Sequence, residues 1–400
     1  PPPPPPALTA SIQAFGVYEH DIERPIATMR VEEFISTEMR PLLHYVFFSE
    51  GSDELPERYA RLQPAETDDF SVQTLMPLDN LKTYHHVLNI IGSRMRQYPD
   101  ATLRLVGTNS DEGQERGDDA LSRQRAVTVR DYLTRVWSIA EERLRIEYRG
   151  LPEKPSNITV VDGIEENRRV ELYPSIPEII DPIIIDDTLR TVNPPHVRFR
   201  PNVVSDAGVT EWSLEVEQST LPLKSFDGRG DVPGRLDWRV QQDRMSIPRG
   251  DTPLQYRLSV TDAAAQQVET TPGLLPVEQL TVQRKRIERL GDKEIDRYNL
   301  ILFDFNSEEL GARNLRIVDM IKPRISAEST VNITGYTDRI GEMRVNQPLS
   351  EGRARSAARA LNVPLENAIG LGATDMYTNE LPEGRFYCRT VTIVVETPVE

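Results

Sequence analysis

Asp338 and Arg353 stand fifteen residues apart, and the residue types around them would bring an anion and a cation to one place. Upstream, Val331-Asn332-Ile333-Thr334 alternates apolar and polar residues as a half-buried strand does, and Gly335 breaks the pattern. Asp338 is therefore expected in the loop just beyond a strand. Downstream, Asn346 and Pro348 read as a helix start, with Asn346 as candidate N-cap, Pro348 in the first turn and the helix running through Ala360. Arg353 would lie about two turns in. A loop and a helix so placed let a carboxylate and a guanidinium border one small cleft. The planar guanidinium can take a ligand carboxylate in two parallel hydrogen bonds, and Asp338 can accept from an ammonium. The plainer alternative is an ordinary surface ion pair, worth ~0 to 1 kcal/mol.

The same spacing occurs earlier. Leu103 to Val106 reads as a strand, Gly107-Thr108-Asn109-Ser110-Asp111-Glu112-Gly113 as its loop, and Leu121-Ser122-Arg123-Gln124-Arg125-Ala126 as part of the next helix. Ser110 and Arg125 are again fifteen residues apart, and Asp118 falls where Asn346 does. Ser110 can accept a hydrogen bond but supplies no negative charge for an ammonium. Arg125 could still hold a carboxylate, or could simply cover the surface.

The run Gly335-Tyr336-Thr337-Asp338-Arg339-Ile340-Gly341, followed by Asn346 and Leu349-Ser350-Glu351-Gly352-Arg353-Ala354, resembles the core motif of OmpA-like peptidoglycan-binding domains. The resemblance implies that Asp338 and Arg353 grip the zwitterionic end of diaminopimelate in the stem peptide, with Thr337, Asn346 and Leu349 in support. Asn167-Arg168-Arg169-Val170-Glu171 resembles the closing signature of that family, and Cys388-Arg389-Thr390-Val391 is a looser version. The likeness extends over Leu42 to Leu172 and Asn299 to Glu396. It makes the first copy degenerate, with Asn109, Ser110, Asp118 and Arg125 as its altered site, binding the usual ligand weakly or not at all.

The elements that must position these residues follow from periodicity. In the second copy Leu300-Ile301-Leu302-Phe303-Asp304-Phe305 reads as a buried strand, and Val318, Ile321 and Ile325 as one face of a helix. Ala368 to Gly372 and Arg389 to Glu396 are two further strands. In the first copy Tyr45-Val46-Phe47-Phe48 opens the unit, and Leu81, Tyr84, Leu88, Ile91 and Met95 recur at helical spacing. Leu144 to Tyr148 and Arg168 to Leu172 complete it. Both read as β-α-β-α-β-β units with helices on one sheet.

Between them, Trp212, Leu214 and Val216, and then Leu254, Tyr256, Leu258 and Val260, alternate with polar residues as in an antiparallel sandwich. Leu236-Asp237-Trp238 beside Asp227-Gly228-Arg229-Gly230 resembles small immunoglobulin-like modules of bacterial surface proteins. The expected class is α+β: two OmpA-like domains flanking an all-β immunoglobulin-like sandwich. The expected divisions are 1–39 (a Pro-rich spacer and strand-like pieces without an assigned partner), 40–175, 176–282 and 283–400, with Gln283 to Asp296 as a charged linker.

Composition narrows the function. The net charge of −16 argues against sequence-independent nucleic-acid binding. No apolar stretch is long enough to cross a membrane as a helix, and Pro1 to Pro6 reads as a stiff spacer rather than a signal peptide. Cys388 has no partner for an internal disulfide and reads as a small core residue in a strand.

His85 and His86, adjacent on a helix, make a poor metal pair. His20, His44 and His196 lie far from any nucleophile motif, and Asp186-Asp187 reads as solvated loop charge rather than a glycosidase pair. No enzyme activity, cofactor or metal is expected. The expected partner is peptidoglycan, and the expected location is the periplasm in association with the outer membrane. Other envelope proteins could be held through the first copy or the middle module. The competing expectation is a protein-interaction scaffold in an envelope motor or secretion assembly.

Overall fold

The computed structural model describes residues 7–243, 246–288, 291–301, 303 and 306–399. Pro1–Pro6, and Leu302, Asp304 and Phe305 of the expected strand, lie outside the described residues. The chain is mixed α+β and divides into two compact units. One comprises residues 1–36, 188–294 and 398–400, and the other 37–187 and 295–397. Both segments that carry the repeated motif fall in the second unit.

In its first segment four strands lie in the order Tyr45–Phe47, Arg169–Pro174, Leu103–Gly107, Leu144–Tyr148. Leu103–Gly107 is parallel to Leu144–Tyr148 and antiparallel to Arg169–Pro174. In the second segment Asp292–Leu300, Val391–Val399, Thr330–Thr337 and Ala368–Ala373 follow the same order. Thr330–Thr337 is likewise parallel to Ala368–Ala373 and antiparallel to Val391–Val399. Each parallel pair is joined through a 19-residue helix, Asp119–Trp137 or Met343–Leu361.

The helices pack tightly because glycine stands where helix meets strand. A Cβ on Gly107 would come within 1.8 Å of the Ser122 carbonyl oxygen, and one on Gly335 within 2.0 Å of the Ser350 oxygen. Gly335 therefore does not end its strand, as the sequence reading had it. The strand runs on to Thr337, and the glycine admits the helix that carries Arg353.

Several expected boundaries shift. The helix of the first segment breaks into Asn80–Tyr84 and Val87–Gln97, with His85 and His86 at the break. Ile325 lies beyond the helix Ala312–Ile321, past a single 3-10 turn. Cys388 ends a short helix, Pro382–Cys388, rather than sitting in a strand, and burial pushes its thiol up to about 11. Phe386 and Tyr387 of that helix join the core of the first segment, with Phe386 against Tyr45 and Phe47. Asp186 lies on the strand Ile183–Asn193 and accepts from the Thr37 hydroxyl, so it is not loop charge. Part of the expected linker is ordered structure, the helix Val282–Glu288.

In the other unit two antiparallel sheets share one core that includes Phe199, Trp238, Trp212, Leu214 and Leu258. The unassigned N-terminal piece has its partner here: Leu8–Val17 pairs with His196–Ser205 along its whole length.

Candidate functional site

Arg353 projects from the third turn of Met343–Leu361. The helix begins earlier than the sequence reading placed it, with Glu342 at the N-cap and Pro348 inside. Asn346 is therefore not a cap. It lies within the helix, buried, and its amide sits 3.5 Å from the carbonyls of Asp338 and Gly341, holding the loop instead of its own first turn. The cap expected at Asn346 occurs at the matching Asp118, whose carboxylate accepts from the Leu121 amide at 2.9 Å. Thr337 is buried and donates to the Asp338 carbonyl, and Leu349 is half-buried on the helix.

Asp338 and Arg353 are both nearly inaccessible, 4% and 2% exposed, so they form no surface ion pair. Neither is the other's hydrogen-bond partner among the described residues. The Arg353 guanidinium donates to the Ser307 carbonyl at 3.0 Å and lies 3.5 Å from that of Tyr336. Its plane lies 4.8 Å from the centre of the Phe303 ring. Among the described residues no carboxylate bonds it. Burial, reinforced by the nearby Arg389 charge, pulls this guanidinium down to about 10.

Asp338 accepts instead from Arg389 Nε at 2.6 Å and from the Ile340 amide at 3.1 Å, and a terminal nitrogen of Arg389 forms an ion pair with the same oxygen as Nε at 2.5 Å. Burial raises its pKa against the pull of Arg389, and the negative charge of Glu166 adds to the rise. A carboxylate offers about four lone-pair sites. With two taken by the hydrogen bonds from Arg389 and Ile340, acceptor capacity is left for an ammonium.

Arg389 and Glu166 are the residues the sequence reading missed. Arg389 follows the short helix, in the looser closing signature, which was the one available signal. Glu166 belongs to the first segment and accepts from Arg389 at 2.7 and 2.9 Å and from Arg385 at 2.9 Å. Arg339 is clamped by Asp162, also of the first segment, at 2.9 Å. The two segments are thus joined by buried charge, and Glu166 neutralises Arg389 so that Asp338 keeps its own negative field.

In the first segment, Arg125 sits in a matching cradle. It donates to the carbonyls of Ser52, Thr108 and Ser49 at 2.9, 3.1 and 2.9 Å, beside the Phe48 ring. Here the slot is closed. Glu115, wholly buried, takes Arg125 at 2.5 Å and accepts at 2.9 Å from both the amide and the hydroxyl of Ser110. Burial alone would raise the Glu115 carboxyl, but the Arg125 and Ser110 hydrogen bonds outweigh it and hold the acid at about 2. Asn109 spends its amide on the Asp118 carbonyl and its oxygen on the Asp111 amide. The carboxylate that Arg125 was expected to be able to hold is the chain's own.

No family model matches the chain. In sequence it is 33% identical over 87 residues to Outer membrane protein A of Serratia marcescens, covering 20% of this chain and 24% of that protein. Among solved structures, the peptidoglycan-associated lipoprotein of Burkholderia pseudomallei is similar over 24% of this chain and 87% of its own, at 21% identity and a TM-score of 0.22. A putative MotB-like protein from Desulfovibrio vulgaris is similar over 25% and 73%, at 25% identity and a TM-score of 0.22. The OmpA-like domain of FopA1 from Francisella tularensis is similar over 28% and 82%, at 19% identity and a TM-score of 0.21. Among the described residues no helix is long and apolar enough to cross a membrane. About a fifth of the chain is thus similar to Outer membrane protein A, and the chain spans about a quarter of that relative's length.

Proposed function

We propose that this chain is a non-enzymatic envelope protein of the periplasm, associated with the outer membrane, that holds peptidoglycan through the zwitterionic end of a diaminopimelate side chain. In this reading it carries two OmpA-like domains around an immunoglobulin-like sandwich. Arg353 takes the ligand carboxylate and Asp338 the ammonium, with Thr337, Asn346 and Leu349 shaping the pocket. The first copy takes no such ligand.

One observation carries the reading. Arg125 and Arg353 are buried in matching carbonyl cradles, yet among the described residues only Arg125 has a carboxylate from the chain, Glu115. A buried cation bonded to neutral carbonyls alone is costly, and a ligand carboxylate is the group that would offset that cost. The ammonium on the same ligand carbon would add a second cation to Asp338, which already pairs with Arg389.

Co-sedimentation with purified diaminopimelate-type sacculi tests this at two salt concentrations. Wild type and Arg125→Ala are expected to pellet, and Asp338→Ala and Arg353→Ala to stay in the supernatant. Binding that ignores Asp338 and Arg353, or is absent throughout, would favour a docking scaffold in an envelope assembly. The self-closed first site is the observation on that side.

A further inference from the structure

Within the second unit a cavity of about 250 Å³ opens between the N-terminal half of the helix Ala312–Ile321 and the first segment around Pro41–His44 and Tyr173–Pro182. Its walls are largely apolar, with Leu42, Ile180, Ile301 and Ile317 among them. Two polar groups in it lack partners. Among the described residues Arg313 makes no hydrogen bond or ion pair, although one turn on Arg316 is held by Asp181 at 2.7 and 2.9 Å. The Nδ1 atom of His44 is buried and has no hydrogen-bond partner among the described residues.

A buried donor without a partner costs on the order of 1–3 kcal/mol, more when charged. His44 Nδ1 is such a group when protonated, and the partly buried Arg313 adds a charge with no counter-ion among the described residues, so that together in one largely apolar cavity they mark a place for an anion. Burial pulls Arg313 down to about 10 with no opposing carboxylate among the described residues, which agrees with the geometry. Arg313 and His44 also line a more polar neighbouring cavity with Glu153, Glu309 and Glu171, of which Glu171 is held by Arg169 at 2.8 Å, while Asp181 in the wall of this one is held by Arg316. The helix start adds to the same field: its cap is Gly311, with no side chain to occupy the first amides.

We propose that this cavity binds a small carboxylic acid with an aromatic or branched apolar body, its carboxylate held by Arg313 and His44 and its body against Leu42, Ile180, Ile301 and Ile317. The volume sits just below the roughly 300–1,000 Å³ of pockets for drug-sized ligands, so a single ring or branched chain is the scale that fits. The arginine fork prefers a carboxylate to its neutral amide because it supplies charge and two parallel donors. The site lies apart from Asp338 and Arg353 and does not depend on them.

Equilibrium dialysis of the full chain and of two variants against 3-phenylpropionate and 3-phenylpropanamide tests it. The acid is expected to bind saturably and at least tenfold more tightly than the amide. Arg313→Gln is expected to abolish that preference, while Asp338→Ala leaves it intact. A phenylalanine-terminated peptide is expected to bind more weakly than the free acid. Equal affinity for acid and amide, no saturable binding at millimolar acid, a preference that survives Arg313→Gln, or tighter binding of the peptide would each overturn the proposal.

Discussion

Glu115 closes on Arg125 at 2.5 Å with both side chains wholly buried, whereas the matching Arg353 has only carbonyl partners among the described residues. Without a gap, the alignment of the two segments puts Met343, 83% exposed, where Glu115 stands. The exposed Met343 therefore supplies no counterpart to the buried Glu115 carboxylate. Glu115→Ala leaves a buried guanidinium unpaired and is expected to destabilise the second unit by about 3–5 kcal/mol. Met343→Ala is expected to stay within about 0.5 kcal/mol. Urea unfolding of the full chain followed by tryptophan fluorescence distinguishes them, since Trp137 lies in the affected core.

Acid should act on the same pair. The Glu115 carboxyl is held at about 2, and Glu166 is also lowered, the Arg389 and Arg385 charges outweighing its burial. Both contribute stability that is fully present above the ordinary glutamate range near ~4.3 and is lost as pH falls through their folded values. Asp338 runs the other way: raised by burial, it contributes stability that is fully present below the ordinary aspartate range and is lost as pH rises through its folded value. Midpoints of urea unfolding between pH 6 and pH 3 should fall, and the fall should be shallower in Glu115→Gln. An unchanged slope in that variant would count against the buried pair as the cause.

Gly335→Ala should link packing to binding. Its new methyl meets the Ser350 carbonyl, so the helix carrying Arg353 must move, at a cost of about 1–3 kcal/mol. Gly107→Ala meets Ser122 in the same way. Both variants should unfold at lower urea, but only Gly335→Ala should also lose sacculus binding. Equal binding by the two variants would separate the helix position from the site.

The main strands and helices of the motif-bearing segments and the alternation of the middle strands were legible because each rests on local period and turn residues, whereas the order of the strands in the sheet and the short helices Val161–Glu166 and Pro382–Cys388 before the last strands were not read. Asp338, Arg353 and the carbonyl cradle's helix were placed to within a turn. The misreadings share a cause. Asn346 looks like a cap because asparagine favours that role, but the helix gains another turn before it and uses the amide to hold the Asp338 loop. Arg389, Glu166 and the closure by Glu115 depend on contacts across the fold, as does the pairing of Leu8–Val17 with His196–Ser205, and no local pattern encodes those.

Glu166 offers a test of that long-range part. Glu166→Gln leaves Arg389 neutralised by Asp338 alone, so the field that receives an ammonium weakens. Sacculus affinity is expected to drop severalfold although the changed residue lies in the other segment, and the loss should deepen with salt. Affinity equal to wild type would remove Glu166 from the account.

The central claim is that the chain holds one open zwitterion site and one filled from within. Calorimetric titration of the full chain with meso-diaminopimelate measures it directly. The account predicts one site per chain, lost in Arg353→Lys because the parallel pair of hydrogen bonds cannot form, and kept in Arg125→Lys if that variant remains folded by circular dichroism. No binding, two sites per chain, or binding indifferent to Arg353→Lys would contradict it.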